Sequence, residues 1–237
     1  MIQLIFPFCS AVLIACGYAR IIGNRERSEP HVRRFAYASI FFLAVFIALA
    51  LAVSLSGRAS PLDLWIQSRL QGIANPSFLV LMRAVSSFFD PLNFLAFAIF
   101  FEAALFVRKH RREAVFSSAV LAFAFLLDWS SKVLVGSDRP FFPDMATLGW
   151  SFPSGHAALA TAFFLTMYLF VRPHLHDDIQ RIGLSAIAVV LALAVGTSRL
   201  VLGVHWFSDV VGGLLLGSFA VFFLLAQFSL YGEKRKR

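Results

Sequence analysis

The chain has 237 residues, of which 59% are hydrophobic and only 14% are charged, and its mean hydropathy is +0.78. This composition excludes an ordinary water-soluble domain and favours one polytopic membrane domain. The net charge of +8 does not indicate a nucleic-acid partner, because the basic residues are spread over the ends of apolar segments.

Seven apolar segments are candidates for membrane spans. About 20 helical residues cross the hydrocarbon, and backbone groups in lipid must bond within their own segment, so each segment should be a helix. The segments cover residues 2–22, 34–56, 91–107, 114–135, 155–171, 182–200 and 207–230. The first has neither a basic start nor a small-residue cleavage site, so we interpret it as a span and not as a signal peptide. The predicted fold is an all-α, polytopic transmembrane helical bundle.

The basic residues predict how the bundle is oriented. Most of the 21 Lys and Arg residues follow the first, third and fifth spans or close the chain, which places them on one side of a seven-span bundle. Basic loops stay in the cytoplasm. We therefore expect the N-terminus outside and the C-terminus in the cytoplasm.

The first outer segment, residues 57–90, contains the stretch "SPLDLWIQSRLQGIAN". Ser60, Pro61 and Asp63 resemble a capping box, and the apolar residues that follow recur at helical spacing. We predict an amphipathic helix over 61–74, which either lies in the outer membrane interface or is an ordinary packed loop helix. Asp90 and Pro91 are expected to be the cap and the first residue of the third span.

Two further outer segments, residues 132–156 and 198–209, hold an unusual set of polar side chains. Taken singly, a cation can anchor at the lipid headgroups, a histidine can sit in the interface and an aspartate can cap a helix. Taken together, three cations at one end of a bundle call for an anion, and Arg and Lys bind phosphate oxygens. The set is Lys132, Arg139, His156, Arg199, His205 and Asp209.

The spacing of these residues suggests phosphoryl transfer. Ser154 and Gly155 begin the fifth span, where helix N–H groups and the helix dipole also favour an anion. His205 and Asp209 are four residues apart and share a helix face, so the carboxylate can hold Nδ1–H while Nε2 attacks phosphorus. His156, on another helix start, can protonate the leaving oxygen and then activate water. Because three cations stabilise the charge, we expect no metal ion and no cofactor.

Three motifs in these segments resemble those of the type 2 phosphatidic acid phosphatase superfamily, which includes membrane lipid phosphatases and soluble vanadium haloperoxidases. "KVLVGSDRP" fits K-x6-R-P, "PSGH" matches as it stands, and "SRLVLGVHWFSD" fits S-R-x5-H-x3-D. The resemblance implies that the three cations, Ser154 and Gly155 bind phosphate. It also implies that His205 forms a phosphohistidine, that His156 is the general acid and that Asp209 holds His205.

The resemblance further implies a six-helix phosphatase core with an outer-face active site in residues 34–237. Residues 1–33 are then an accessory span with a basic cytoplasmic loop. The expected activity is metal-independent dephosphorylation of a lipid phosphate or diphosphate at the outer face of the bacterial cytoplasmic membrane. Implied substrates are phosphatidylglycerophosphate, phosphatidic acid and undecaprenyl diphosphate, with lipid A phosphate as a further possibility. The expected partners are the lipid substrate and membrane lipids, and no oligomeric state is indicated.

Three other activities compete with this prediction. A phosphotransferase needs only an acceptor hydroxyl in place of water. An anion transporter would use the cations as a binding site, but such sites lie near the membrane midplane and these cations cluster at one face. A vanadate site of the haloperoxidase kind does not explain the membrane spans. One further residue, Asp128, lies one turn before Lys132 and is expected to neutralise and position that lysine.

Overall fold

The structure, a computed structural model, describes residues 2–23, 29–57, 59–140 and 149–234. Nine α-helices and one short 3-10 turn occur in these residues, without any β-strand. The helices are Ile2–Gly23 (α1), Pro30–Ser56 (α2), Pro61–Ile73 (α3), Pro76–Phe88 (α4), Pro91–Val107 (α5), Arg111–Val135 (α6), Gly155–Val171 (α7), Asp178–Val201 (α8) and Phe207–Lys234 (α9). The prediction of an all-α fold is confirmed.

The length and apolar character of these helices make this a multi-pass membrane protein. Within the described residues, five helices can cross a membrane, namely α2, α6, α8, α9, and α7 with the turn that follows it. α4 and α5 together form a sixth candidate that is bent by 49°. The predicted third span is therefore half of a bent pair. In α1 the apolar stretch Cys9–Gly23 is shorter than these spans, so the crossing of the membrane by α1 stays a prediction.

Helix α9 lies at the centre of the bundle and packs against α1, α2, α6, α7 and α8. Phe219, Ala220, Val221 and Ala226 on this helix are completely buried. The Phe223 ring stacks on the Phe123 ring of α6, with 5.4 Å between ring centroids. This packing sets the position of α9 relative to α2, α6 and α7.

Two glycines let α7 approach α9 at backbone distance. A Cβ on Gly213 would lie 2.4 Å from the Ser154 carbonyl oxygen, and a Cβ on Gly217 would lie 2.4 Å from the Ala158 carbonyl oxygen. The two glycines are four residues apart, which is the spacing of small residues at close helix crossings in membranes. The start of α7 therefore rests directly on the first turns of α9.

Helix α3 has the predicted start but faces the protein with its polar side. The Ser60 hydroxyl accepts the Asp63 N–H at 3.1 Å and the Asp63 carboxylate accepts the Ser60 N–H at 3.0 Å, which is a complete capping box. Asp63 and Gln67 are buried, whereas Trp65 and Ile73 are 57% and 64% exposed. Apolar residues turned away from the protein favour a helix in the membrane interface over an ordinary packed loop helix.

Helix α4 is a second helix in the first outer segment, and the sequence patterns did not predict it. Asn75 caps it by accepting the Phe78 N–H at 2.9 Å, and Pro76 is its first residue. α4 packs against α8 and ends at the Asp90–Pro91 junction, where α5 begins. Asp90 holds the predicted cap position, but its side chain makes no capping hydrogen bond.

The basic loops lie at the opposite end of the bundle from the outer segments. The α5–α6 connection carries Arg108, Lys109 and Arg111, and the α7–α8 connection carries Arg172 and Arg181. This separation agrees with the charge pattern that predicts the orientation. The basic residues at positions 25, 27 and 235–237 lie outside the described residues.

Replacing Gly217 by alanine should destabilise the bundle. The added methyl group would meet the α7 backbone at 2.4 Å, and overpacking of this kind costs about 1–3 kcal/mol. We expect a lower thermal unfolding midpoint for Gly217→Ala in detergent, measured by circular dichroism.

Gly183→Ala is the matched control. Gly183 is a helical glycine in α8, and no described atom lies within 4 Å of the position that an added methyl group would take. Because alanine favours a helix over glycine, the midpoint of this variant should be unchanged or higher. Equal midpoints for the two variants would contradict the close α7–α9 packing.

Candidate active site

The C-terminal ends of α6 and α8 and the N-terminal ends of α7 and α9 bring the predicted residues into one cluster at one end of the bundle. Lys132 lies in the last turn of α6, Ser154 precedes α7, and Arg199 lies in the last turn of α8. His205 lies between α8 and α9, and Asp209 lies in the first turn of α9. Residues from three separate motifs are thus adjacent only in the folded bundle.

Asp209 joins the motifs through one carboxylate oxygen. Its Oδ2 accepts the Trp206 N–H at 2.7 Å, accepts a hydrogen bond from the Ser151 hydroxyl and lies 3.3 Å from His205 Nδ1. Asp209 is completely buried and His205 is 2% exposed. The predicted contact between the imidazole and the carboxylate is present, but the two residues do not share a helix face as expected, because His205 lies in the turn before α9. Ser151 is an additional partner.

The other ring nitrogen of His205 meets Arg139. Arg139 Nη1 lies 3.2 Å from His205 Nε2. A guanidinium can only donate hydrogen bonds, so Nε2 must be the acceptor and the ring proton belongs on Nδ1, facing Asp209. This tautomer is the one that a nucleophilic imidazole requires, because it places the lone pair on Nε2.

Backbone carbonyl groups hold Arg139 in this position. Its guanidinium donates to the carbonyl oxygens of Gly149, Trp150 and Val204 at 3.0, 3.2 and 2.9 Å. Burial lowers the pKa of Arg139 from its ordinary value, and Asp209 acts in the opposite direction. The guanidinium therefore links the loop before α7 to the loop before α9. Its positive charge lies next to Nε2 of His205.

Lys132 is paired and positioned by α6 itself. Its Nζ lies 2.6 Å from Asp128 Oδ1 and 2.5 Å from the Pro153 carbonyl oxygen. The predicted pairing of Asp128 with Lys132 is confirmed. Gly155 faces the same pair, since a Cβ there would lie 3.0 Å from Asp128 Oδ2. Gly155 thus allows α7 to start against the Asp128–Lys132 pair.

The backbone N–H of Ser154 is used within the protein, so it is not one of the N–H groups at the start of α7 that an anion can reach. Its N–H donates to the Asp209 carbonyl oxygen at 2.9 Å, because α7 and α9 approach so closely. Its hydroxyl is buried, does not cap α7 and has no hydrogen-bond partner among the described residues. The hydroxyl is therefore the group that Ser154 can offer to a ligand.

Arg199 and His156 take partners from the α4–α5 region. Arg199 is 5% exposed and donates through Nη1 to the Ser86 hydroxyl of α4. Its Nε has no partner within the described part of the chain. His156 Nε2 lies 3.0 Å from Asp90 Oδ1 at the start of α5. Helix α4, which was not predicted from the sequence, therefore supports the site.

Asp63 connects the interface helix to the start of α9. Its carboxylate accepts the Ser208 N–H at 2.8 Å and lies 3.1 Å from the Ser208 hydroxyl. Asp63 also closes the capping box of α3, so one buried carboxylate caps two helices. This contact fixes the first turn of α9, which carries Asp209.

The electrostatic environment favours a neutral His205 and a bound anion. Burial lowers the pKa of His205 well below its ordinary value of 6.5, and Arg139, Arg199 and Lys132 lower it further. The imidazole is then uncharged at neutral pH and carries a single ring proton. In the described ranges, no group of three or more His, Cys, Asp or Glu side chains is placed to hold a metal ion.

A cavity of about 390 Å³ adjoins the site between α2 and α6. Leu49, Val53 and Val135 line its apolar part, and Ser137 and Trp206, the residue that follows His205 in the chain, also line it. A cavity of this kind has room for an apolar chain beside a polar headgroup.

Four supporting residues carry no sequence signal strong enough to identify them. Ser151 stands at the start of "SFPSGH" without a spacing that links it to Asp209. Ser86 and Asp90 lie far from the motifs along the chain, and the pattern around Asp63 indicates only a local helix cap. The packing of α3 on α8 and α9 brings Asp63 to the site, and the packing of α4 on α8 brings Ser86 there.

Comparison with known proteins identifies a family that the sequence of this chain matches. The sequence model of the PAP2 superfamily matches residues 113–232, which is just over half of the chain and includes all eight predicted site residues. Phosphatidylglycerophosphatase B of Bacillus subtilis is 37% identical over 129 residues, which are 52% of this chain and 57% of that protein. An undecaprenyl-diphosphatase of Sulfolobus acidocaldarius is 29% identical over 139 residues, which are 56% of this chain and 63% of that protein. The chain thus matches less than two thirds of the length of either relative.

The structural similarity to a solved protein covers more of the chain than the sequence similarity does. The crystal structure of a transmembrane PAP2-type phosphatidylglycerolphosphate phosphatase from Bacillus subtilis superposes with a TM-score of 0.71 at 27% identity. The superposition covers 85% of this chain and 98% of that one. The predicted helical bundle therefore agrees with a solved structure of this type.

The His205 imidazole should stay neutral as the pH falls through 6.5, because burial and three cations depress its pKa in the folded protein. The unfolded chain then binds more protons than the folded one at acid pH, so this group makes stability fall as the pH drops below about 6.5. The titration is measured by ¹⁵N NMR of the histidine-labelled protein.

Arg139→Gln removes the cation in contact with Nε2 and should raise the His205 pKa towards 6.5. Arg172→Gln, at the opposite end of the bundle, is the matched control and should leave it unchanged. A wild-type His205 that titrates at or above 6.5 would contradict the electrostatic account of the site.

Proposed function

This chain belongs to the PAP2 superfamily, and on that premise we propose that it is a membrane phosphatase acting on a lipid phosphate or diphosphate. The observation that carries the proposal is the setting of His205, with Nδ1 beside the buried Asp209 and Nε2 beside Arg139. This is an oriented nucleophile next to a cation suited to phosphate.

In the first half-reaction, His205 Nε2 attacks phosphorus and the bond between phosphorus and the lipid oxygen breaks. The departing oxygen takes a proton from His156, and this proton leaves with the lipid product. The phosphoryl group remains on Nε2, and Asp209 balances the positive charge that develops on the ring. A monoester yields a lipid alcohol, and a diphosphate yields a lipid monophosphate.

In the second half-reaction, water attacks the phosphohistidine. His156, now neutral, takes a proton from the water, the bond between phosphorus and Nε2 breaks, and its electron pair returns to the nitrogen. Inorganic phosphate leaves and both histidines recover their starting protonation states.

Three cations stabilise the phosphoryl group during both steps. Lys132, Arg139 and Arg199 are held by protein oxygens before the substrate arrives, so little reorganisation is needed. Charge in phosphoryl transfer is spread over the equatorial oxygens, and cations from three elements can contact different oxygens. The Ser154 hydroxyl and the start of α7 at Gly155 add hydrogen-bond donors.

The substrate class follows from the membrane setting and the relatives. The names of the two relatives refer to phosphatidylglycerophosphate and undecaprenyl diphosphate. Both are phosphates on apolar chains, and the cavity beside Trp206 is suited to such a chain. We propose one of these two lipids as the substrate of this chain.

The same site supports phosphotransfer if a lipid hydroxyl replaces water in the second step. Anion transport is less well supported, since the cations lie at one end of the bundle and not at its middle. The positions of the basic loops support a site on the outer face of the cytoplasmic membrane, with the N-terminus outside.

His205→Ala should abolish phosphate release, because it removes the nucleophile. The purified protein is assayed in detergent with EDTA on phosphatidylglycerophosphate, phosphatidic acid, undecaprenyl diphosphate and lipid A. We expect release from at least one lipid by the wild type and a loss of at least about 10³-fold in the variant.

His174→Ala, an exposed histidine in the turn after α7, is the matched control and should retain wild-type turnover. Unchanged release by His205→Ala would exclude this residue as nucleophile. A wild type that releases phosphate only when Mg²⁺ is added would contradict the mechanism.

The membrane orientation predicts which loops are accessible from outside. In a cysteine-free background, Gln71→Cys on α3 should react with an impermeant maleimide on intact cells, and His176→Cys before α8 should react only after lysis. Both positions are exposed in the fold. The opposite labelling pattern would place the site in the cytoplasm.

A further inference from the structure

Asp90 makes a contact that the mechanism above does not use. Its Oδ1 lies 3.0 Å from His156 Nε2, although the two residues are 66 positions apart in the sequence. The His156 side chain is 14% exposed and the Asp90 side chain is 50% exposed. A partly buried imidazole that pairs with a carboxylate from another part of the chain is held in one orientation by that carboxylate.

Asp90 differs from three other cap residues of this protein in the partner of its side chain. Ser60, Asn75 and Asp177 occupy cap positions, and each accepts a backbone N–H of its own helix through its side chain. Asp90 occupies the cap position of α5 and makes no such bond. Its carboxylate contacts a histidine of α7 instead and forgoes the local contact that would stabilise the start of its own helix.

The backbone at Asp90 is fixed. Its N–H donates to the Ser87 carbonyl oxygen at 3.2 Å and its carbonyl oxygen accepts the Phe94 N–H at 2.9 Å. The neighbouring Phe89 is buried, and its ring lies 5.6 Å from the ring of Phe164 on α7. The carboxylate is therefore presented from a junction that is packed against the same helix as His156.

The charges around His156 explain why a carboxylate is useful there. Arg199 and Lys132 both interact electrostatically with His156, and two cations oppose a protonated imidazole. A general acid must carry a proton before the leaving oxygen departs. Asp90 is the carboxylate that contacts this ring, and it supplies the compensating negative charge.

The contact also assigns a role to each ring nitrogen. Nε2 is engaged by Asp90, and Nδ1 makes no hydrogen bond to any described residue. We propose that Asp90 is a positioning residue that holds His156 through Nε2, so that Nδ1–H delivers the proton to the leaving lipid oxygen. This inference rests on the proposed phosphatase function of the site.

The test uses leaving groups that differ in their need for a proton. An aliphatic alcohol leaves only when its oxygen is protonated, whereas nitrophenolate leaves as the anion. We compare kcat/KM of Asp90→Asn and wild type on p-nitrophenyl phosphate and on the lipid monophosphate that the wild type hydrolyses best. kcat/KM reports phosphoryl transfer to the enzyme and excludes later hydrolysis of the intermediate.

We expect Asp90→Asn to lose at least about tenfold more kcat/KM on the lipid phosphate than on the nitrophenyl ester, since general acid catalysis contributes about 10²–10⁴-fold. In a His156→Ala background, Asp90→Asn should cause no further loss on the lipid phosphate. Asp178→Asn removes an exposed carboxylate paired with Arg181 at 3.1 Å and should leave both rates unchanged.

Two results would overturn this inference but not the proposed function. The first is an equal loss of kcat/KM on the two substrates, and the second is a further loss of kcat/KM in the His156→Ala background. Either result indicates that the contact of Asp90 with His156 is only structural. A wild type that hydrolyses neither substrate would overturn the proposed function and this inference with it. The two kinds of failure are thus distinguished by the wild-type rate.

Discussion

The arrangement of the site depends on the buried carboxylate of Asp209. Its Oδ2 receives the Trp206 N–H and the Ser151 hydroxyl and contacts His205, while its backbone carbonyl receives the Ser154 N–H. One residue of α9 thereby connects the loop before α9, the loop before α7 and the first residues of α7. An unpaired buried carboxylate would be strongly destabilising, so these contacts also keep α7 and α9 in one relative position.

The cations of the site are held ready by the fold before any substrate is present. Lys132 is paired with Asp128, Arg139 is bound by backbone carbonyl groups, and Arg199 is bound by Ser86. Each keeps its charge in a partly buried setting because oxygen atoms surround it. A phosphate that enters can bind charges already in place, which is the condition for electrostatic catalysis without metal assistance.

Much of this could be predicted from the sequence, because the relevant signals are local. The helical segments follow from apolar length. The contact of His205 with Asp209 was expected from a shared helix face, but His205 precedes α9, so the contact depends on the turn before that helix. The features that the sequence does not predict depend on contacts between segments that are far apart in the chain. The sequence does not indicate that Asp90 turns from its own helix towards His156, or that α4 supplies Ser86 to Arg199. Nor does it indicate that close packing on α9 occupies the Ser154 N–H, since this follows from two glycines on another helix.

We propose that His205, held by Asp209, accepts the phosphoryl group. The most direct test is to quench the enzyme under alkaline conditions during turnover of a lipid phosphate and to locate the phosphoryl group by mass spectrometry. We expect to find a phosphoryl group on the imidazole of His205. This phosphorylated species should be absent in His205→Ala and less abundant in Asp209→Asn. A phosphoryl group on another residue, or turnover that persists in His205→Ala, would contradict this proposal.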